Sequence, residues 1–171
     1  MPERTALPWW RWLGLSAVVL VLDLATKAWI TAALAPGDVR VLTPFLNLVL
    51  WHNTGAAFSF LAGGGGWQRW FLVAVTLVVS GVLLAMLRRN PGRRPLAPAL
   101  ALVLGGAAGN LWDRLTLGHV VDFVQLHAAG YYWPAFNVAD SAITVGVVLI
   151  VLDGLRETRT PAGAGADPKS R

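Results

Sequence analysis

Two aspartates stand inside apolar sequence. Asp122 interrupts the run Val120-Val121-Asp122-Phe123-Val124, and Asp140 follows Asn137 at the start of the apolar stretch that opens at Val138. Read singly, each has an ordinary explanation. Asp122 is then a loop carboxylate with access to water, and Asp140 an acid favoured by the dipole in the first turn of a helix. Read as a pair, they have a chemistry of their own. Two carboxylates in one site cannot both ionise cheaply, so proximity and desolvation leave one protonated and one charged near neutral pH. The charged member takes a proton from water while the protonated member polarises a carbonyl. That is aspartic-protease chemistry, and it needs no Ser, Cys or metal.

Other polar residues fall at unusual places. Asp23 and Lys27, spaced i, i+4 with the acid first, lie on one face of an apolar stretch. Either they form an ion pair that lets the stretch enter a bilayer, or they contact a substrate. Asn110, Asp113 and Arg114 share a helical face by their i, i+3, i+4 spacing. Such a stripe faces protein or a water-filled cavity, and a cap that neutralises the helix end is the plainer role for Asp113 and Arg114. The remaining catalytic constellations are thin. There is no Cys; His52, His119 and His127 lack a tight ligand spacing; and Ser16, Ser59, Ser80, Ser141 and Ser170 have no nucleophile-elbow context. Gly63-Gly64-Gly65-Gly66 lacks the Lys and the helix context of a phosphate loop, so no metal and no cofactor is expected.

The elements that must position these residues follow from composition. Of 171 residues, 56% are hydrophobic and 13% charged, and the mean hydropathy is +0.57. A soluble domain carries about a quarter charged residues, which excludes soluble globular and disordered classes. Four stretches approach the roughly 20 apolar residues a bilayer demands: about Trp12 to Leu34, Trp70 to Leu87, Leu96 to Leu115 and Val138 to Leu155. Pro36-Gly37, Asn90-Pro91-Gly92 and Pro134 punctuate them. The first is too long, and too charged at Asp23 and Lys27, for a cleaved signal peptide. The net charge of +5 and pI near 10.7 report topology. Arg4 and Arg11, then Arg88, Arg89, Arg93 and Arg94, then Arg156, Arg159, Lys169 and Arg171 all fall on one side. That side is cytoplasmic by the positive-inside rule, so both termini face the cytoplasm and nucleic acid is not an expected partner.

The outer connections are long. Val39 to Leu50 and Gly55 to Leu61 read as strands of a small sheet on the outer surface, with Gly63–Gly66 as a flexible return. Val120 to Val124 reads as a further strand, and Tyr131-Tyr132-Trp133 suits the headgroup interface. Residues 1–159 are expected to form one four-span domain, and residues 160–171, rich in Ala, Gly and Pro, a disordered cytoplasmic tail. This topology brings Asp122 and Asp140 to the same face at similar depth, and that coincidence favours the paired reading.

Four blocks in order resemble the lipoprotein signal peptidases, the signal peptidase II family of membrane aspartyl peptidases. They are Asp23-Leu24-Ala25-Thr26-Lys27; His52-Asn53-Thr54-Gly55-Ala56-Ala57-Phe58-Ser59; Gly105 through Phe123; and Phe136-Asn137-Val138-Ala139-Asp140-Ser141. Leu24 departs from the pattern, a Gln being common there. The resemblance covers nearly the whole chain. It implies a membrane protein of four transmembrane helices, otherwise all-α, with a small extracytoplasmic β-cradle and a mobile periplasmic loop or helix over the site. It implies Asp122 and Asp140 as the catalytic pair. Around them it implies Asp23, Lys27, Asn53, Gly55, Asn110, Asp113, Arg114 and Asn137 as residues that bind substrate or shape the site.

The resemblance further implies a substrate. This is a prolipoprotein whose lipobox Cys already carries diacylglycerol, cut just before that Cys by a monomer in the bacterial inner membrane, with its site at the periplasmic face. Arg114 then either contacts substrate or holds Asp113. The rival reading is a small proton-linked transporter, suggested by Asp23, Lys27 and Asp113. A through-path needs polar residues at every depth, and the cytoplasmic halves of the second and fourth stretches read as apolar. A partner-binding scaffold built on the outer sheet is a third possibility.

Overall fold

In the computed structural model, residues 8–55, 65–93 and 95–158 are described. Four long helices carry the fold: α1 (Trp12–Ala33), α2 (Trp67–Arg89), α3 (Leu96–Thr116) and α4 (Val138–Thr158). A turn of tighter helix, Trp9–Arg11, leads into α1. Between α1 and α2 lie strands β1 (Val39–Thr43) and β2 (Leu46–Asn53), and between α3 and α4 lie β3 (Val120–Ala128) and β4 (Tyr131–Tyr132).

Helix α3 is the hub, packed against α1, α2 and α4. It can fill that place because its residues are small. A Cβ on Gly105 would stand 2.7 Å from the Ser16 carbonyl oxygen of α1, and one on Gly106 would run into the Ala139 carbonyl of α4. The backbones therefore approach more closely than any larger side chain allows. Ser16 adds a hydrogen bond from its hydroxyl to the Ala101 carbonyl, 2.8 Å. The outer faces carry Val18, Val21 and Leu22 on α1, Trp70, Val78 and Val82 on α2, and Val147, Val151 and Leu155 on α4, all exposed. Exposed apolar rows on this scale are a lipid-facing surface. Among the described residues, three helical stretches, Trp9–Ala33, Trp67–Arg89 and Val138–Arg156, are long and apolar enough to cross a membrane.

The helices are tied at the end where α2 turns into α3. Leu87, Leu96, Ala97 and Leu100 form a buried cluster there. The Trp12 indole donates to the Pro91 carbonyl at 2.9 Å, and Arg93 pairs with Asp153 at 2.6 Å. Asp153 corrects the reading of the fourth stretch as apolar in this half. The acid is buried, and its charge is matched by an arginine from the connecting loop.

At the opposite end the strands form one antiparallel sheet in the order β1-β2-β3-β4. The run from Val39 to Leu50 is a hairpin, broken at Pro44, where proline cannot continue the ladder. Its partner is β3, with Asn47 opposite Gln125 and Trp51 opposite Asp122, and the register shifts between those pairs. The Val120–Val124 segment continues as strand to Ala128. The second run expected as a strand, Gly55–Leu61, begins with a bend at Gly55, and residues 56–64 lie outside the described ones. Gly65 and Gly66 take the left-handed backbone a glycine tolerates, φ 70° and 103°, and lead into α2. The helical segment expected over the site is not among the described elements, and the tail at 160–171 is outside the described residues. Ile30, Leu50, Val121 and Phe123 pack into a core that fastens the sheet to the end of α1.

Candidate active site

Strand β3 delivers Asp122, and the first turn of α4 delivers Asp140. Two local devices fix them. Phe136 exchanges hydrogen bonds with Val124 (Phe136 N to Val124 O, and Val124 N to Phe136 O, each 2.9 Å), so the chain entering α4 is stitched to β3. Asn137 then caps α4, its side-chain oxygen accepting from the Asp140 N–H at 2.9 Å.

The cap is also the bridge between the acids. The Asn137 amide nitrogen donates to Asp122 Oδ1 at 2.8 Å and to the Val121 carbonyl at 3.2 Å. Asn53, at the end of β2, donates to Asp122 Oδ2 at 3.0 Å. Asn110, on α3, donates to Asp140 Oδ1 at 2.8 Å. Three asparagines from three elements thus supply the acids with amide donors. Asp122, Asp140, Asn53, Asn110 and Arg114 all line one cavity of about 990 Å³, whose walls include Trp51, Trp133, Phe136 and Ile143.

The electrostatics follow from this enclosure. The Asp122 carboxyl is pushed up to about 7, first by burial and next by the negative charge of Asp140, while the Asn53 and Asn137 donors and the Lys27 charge oppose the rise. An acid shifted by burial and by a second acid, both lining one cavity, is the arrangement that paired-carboxylate chemistry requires.

Behind the acids lies a buried polar layer. Lys27 bonds Asp23 at 2.7 Å, Asp113 at 2.9 Å and the Asn110 side-chain oxygen at 3.2 Å. Asp23 and Lys27 are therefore enclosed in protein and make no part of the cavity wall. Asp113 is Lys27's partner and receives the Val121 N–H at 3.1 Å. The alternative in which Arg114 holds Asp113 gives way: Arg114 reaches the Gly55 carbonyl at 2.9 Å and the Asn110 carbonyl at 3.3 Å. Gly55 is buried and is fixed in turn by its N–H to the Asn53 side chain, 2.9 Å.

The three histidines are not brought together. His52, which lines the cavity, stacks on His119 with ring centroids 4.0 Å apart. Burial, and then His52, lowers the His119 imidazole below its ordinary value. His127 lies elsewhere, against Asn47 and Tyr132. The aromatic and aliphatic walls carried no chemical signal in the sequence, and only the sheet register and the placing of α4 gather them.

Comparison with known proteins agrees with this architecture. The family described as signal peptidase (SPase) II matches residues 15–156. The chain is 51% identical over 148 residues to the lipoprotein signal peptidase of Ralstonia nicotianae, covering 86% of each protein. Against that of Paraburkholderia phytofirmans it is again 51% identical over 86% of each, and against that of Burkholderia mallei 49% identical over 86% of this chain and 89% of the relative. A solved bacterial membrane enzyme at 2.3 Å resolution superposes with a TM-score of 0.81 at 30% identity, over 92% of this chain and 94% of the other.

Proposed function

The chain belongs to the signal peptidase II family, and from that premise we propose that Asp122 and Asp140 are the catalytic pair of a lipoprotein signal peptidase. The enzyme is a membrane protease that removes the signal peptide from a diacylglyceryl-modified prolipoprotein, cutting before the lipidated Cys. One observation carries the assignment of the pair: both acids line the same cavity, and the charge of Asp140 raises the carboxyl of Asp122.

The chemistry balances on these two groups. Asp122, at about 7, is substantially protonated in the neutral range and is the acid of the pair, which leaves Asp140 as the base. The charged carboxylate removes a proton from a water molecule as its oxygen adds to the scissile carbonyl. The protonated carboxyl gives its proton to the carbonyl oxygen, which leaves a neutral tetrahedral diol. Collapse breaks the C–N bond. The newly protonated acid gives its proton to the departing cysteine nitrogen, the other recovers one from the diol, and the signal peptide leaves with a new carboxyl group. Asn53, Asn110 and Arg114 stand beside the pair to meet extended peptide backbone.

The site suits a substrate that stays in the membrane. A signal peptide is itself an apolar helix, and its scissile bond emerges at the interface while the acyl chains remain in lipid. We place α3 as a fourth span: its 21 residues rise about 31 Å. Enclosed by α1, α2 and α4, it needs no apolar exterior. The arginines near the α2–α3 turn then face the cytoplasm and the sheet forms an outer cradle, with the enzyme in the inner membrane acting as a monomer. The transporter reading loses its support, because Asp23, Lys27 and Asp113 satisfy one another in a closed cluster.

The test is release of the signal peptide from a purified diacylglyceryl-modified precursor. Wild type cleaves it, and Asp122→Asn and Asp140→Asn do not, while both still insert into the membrane. Full turnover by both variants ends the assignment.

A further inference from the structure

We infer that Lys27 is a positioning residue for the catalytic aspartates: a single buried ammonium whose three acceptors each hold one part of the pair in place. The inference rests on the aspartate-pair reading above.

An ammonium carries three protons and accepts nothing. Around Lys27 Nζ stand Asp23 Oδ2 at 2.7 Å, Asp113 Oδ2 at 2.9 Å and Asn110 Oδ1 at 3.2 Å. What those three hold next is the informative part. Asp23 Oδ1 accepts from the Ala139 N–H at 2.9 Å, one residue before Asp140. Asp113 Oδ2 accepts from the Val121 N–H at 3.1 Å, one residue before Asp122. Asn110 donates to the Asp140 carboxylate at 2.8 Å. Lys27 thus governs the backbone ahead of both acids and the side chain of one.

The Asn110 contact also has a sense. A carboxamide has one acceptor end and one donor end. Lys27, with a weaker contribution from Asn137 at 3.4 Å, claims the acceptor end. The NH₂ is thereby committed to Asp140, since a flipped amide would set two donors against each other. Lys27 is 3% exposed and does not line the cavity, so it meets no substrate. The charged groups facing this cluster are Asp23 on α1, Asp113 and Arg114 on α3, Asp122 on β3 and Asp140 on α4. Among them, the Lys27 charge acts on Asp122 to hold its carboxyl lower than burial alone would.

The experiment measures pH–rate profiles of Lys27→Met on the lipidated precursor, in the full-length enzyme. Loosening both backbone anchors and the amide lowers kcat by about 100-fold, the scale of a misplacement near 1 Å, and leaves KM unchanged. Loss of a cation raises Asp122, so the limb that it governs moves to higher pH. Asp23→Asn/Lys27→Met removes the buried cation together with one of its anions, and it carries the test should Lys27→Met fail to accumulate. The double variant is expected to keep the low kcat and the displaced limb. If instead it turns over like wild type per folded molecule, with the limb unmoved, Lys27 only balances buried charge and the inference is overturned. Asp122→Asn and Asp140→Asn run alongside. Activity in both overturns the pair and this inference together; inactive aspartate variants beside an unaltered Lys27→Met overturn the inference alone.

Discussion

Replacing Asp122 by Asn should stabilise the protein where it abolishes its activity. The carboxyl stands at about 7, against 3.8 for a free aspartate. A raised pKa means that the folded state holds its proton more tightly than the unfolded state. The associated stability is complete below about 3.8 and is lost as the pH rises through 7. A difference of about three units at 1.36 kcal/mol each makes the loss about 4 kcal/mol. Asp122 is 3% exposed, so solvent screens little of this. The asparagine carries no charge, but it turns an NH₂ toward a donor from Asn53 or Asn137, at a cost of about 1–3 kcal/mol at every pH. The variant is therefore the less stable protein at pH 4 and matches or exceeds wild type at pH 8. Thermal unfolding in one detergent across that range reads the difference. A wild-type-minus-variant gap that stays constant with pH refutes the reasoning.

Further outcomes follow from the same geometry. Gly109→Ala places a Cβ against the Asp23 carboxylate and should destabilise by about 1–3 kcal/mol, measured as a lower unfolding temperature, with Gly14→Ala, which meets open space, as the neutral control. Arg93→Met strands the buried Asp153 and should lower stability by roughly 3 kcal/mol, while Arg93→Met/Asp153→Leu recovers most of it and cleaves precursor at the wild-type rate. Asn53→Ala removes a donor to Asp122 and should move the alkaline limb of the pH–rate profile upward; a uniform loss at all pH values would show that Asn53 acts on substrate alone.

The catalytic candidates were legible because acids within apolar runs carry a large cost that demands a reason, and Asp122 and Asp140 are such acids. Asp23 and Lys27 were visible as an i, i+4 pair. That spacing reports only partners on the same helix, so Asp113 as the second anion stayed hidden until glycine packing set α3 against α1. Asp153 was missed for a like reason, since its partner Arg93 belongs to a loop. The sheet was legible in part. Val39–Leu50 has strand composition throughout, and only the turn at Pro44 divides it. Strand β4, with two residues, is too short to leave a pattern. The stacking of His52 on His119 depends on strand register, which shifts between Leu48 and Trp51 and so escapes periodicity. Helix α3 shows the converse: its small residues weaken the hydropathy signal because protein, not lipid, surrounds it.

The most direct measurement is a carboxyl ¹³C titration of the aspartate-labelled enzyme in micelles. The account predicts one aspartate resonance with a midpoint near 7, absent in Asp122→Asn and moved to lower pH in Asp140→Asn. A resonance assigned to Asp122 that titrates near 4, or one indifferent to Asp140→Asn, would contradict it.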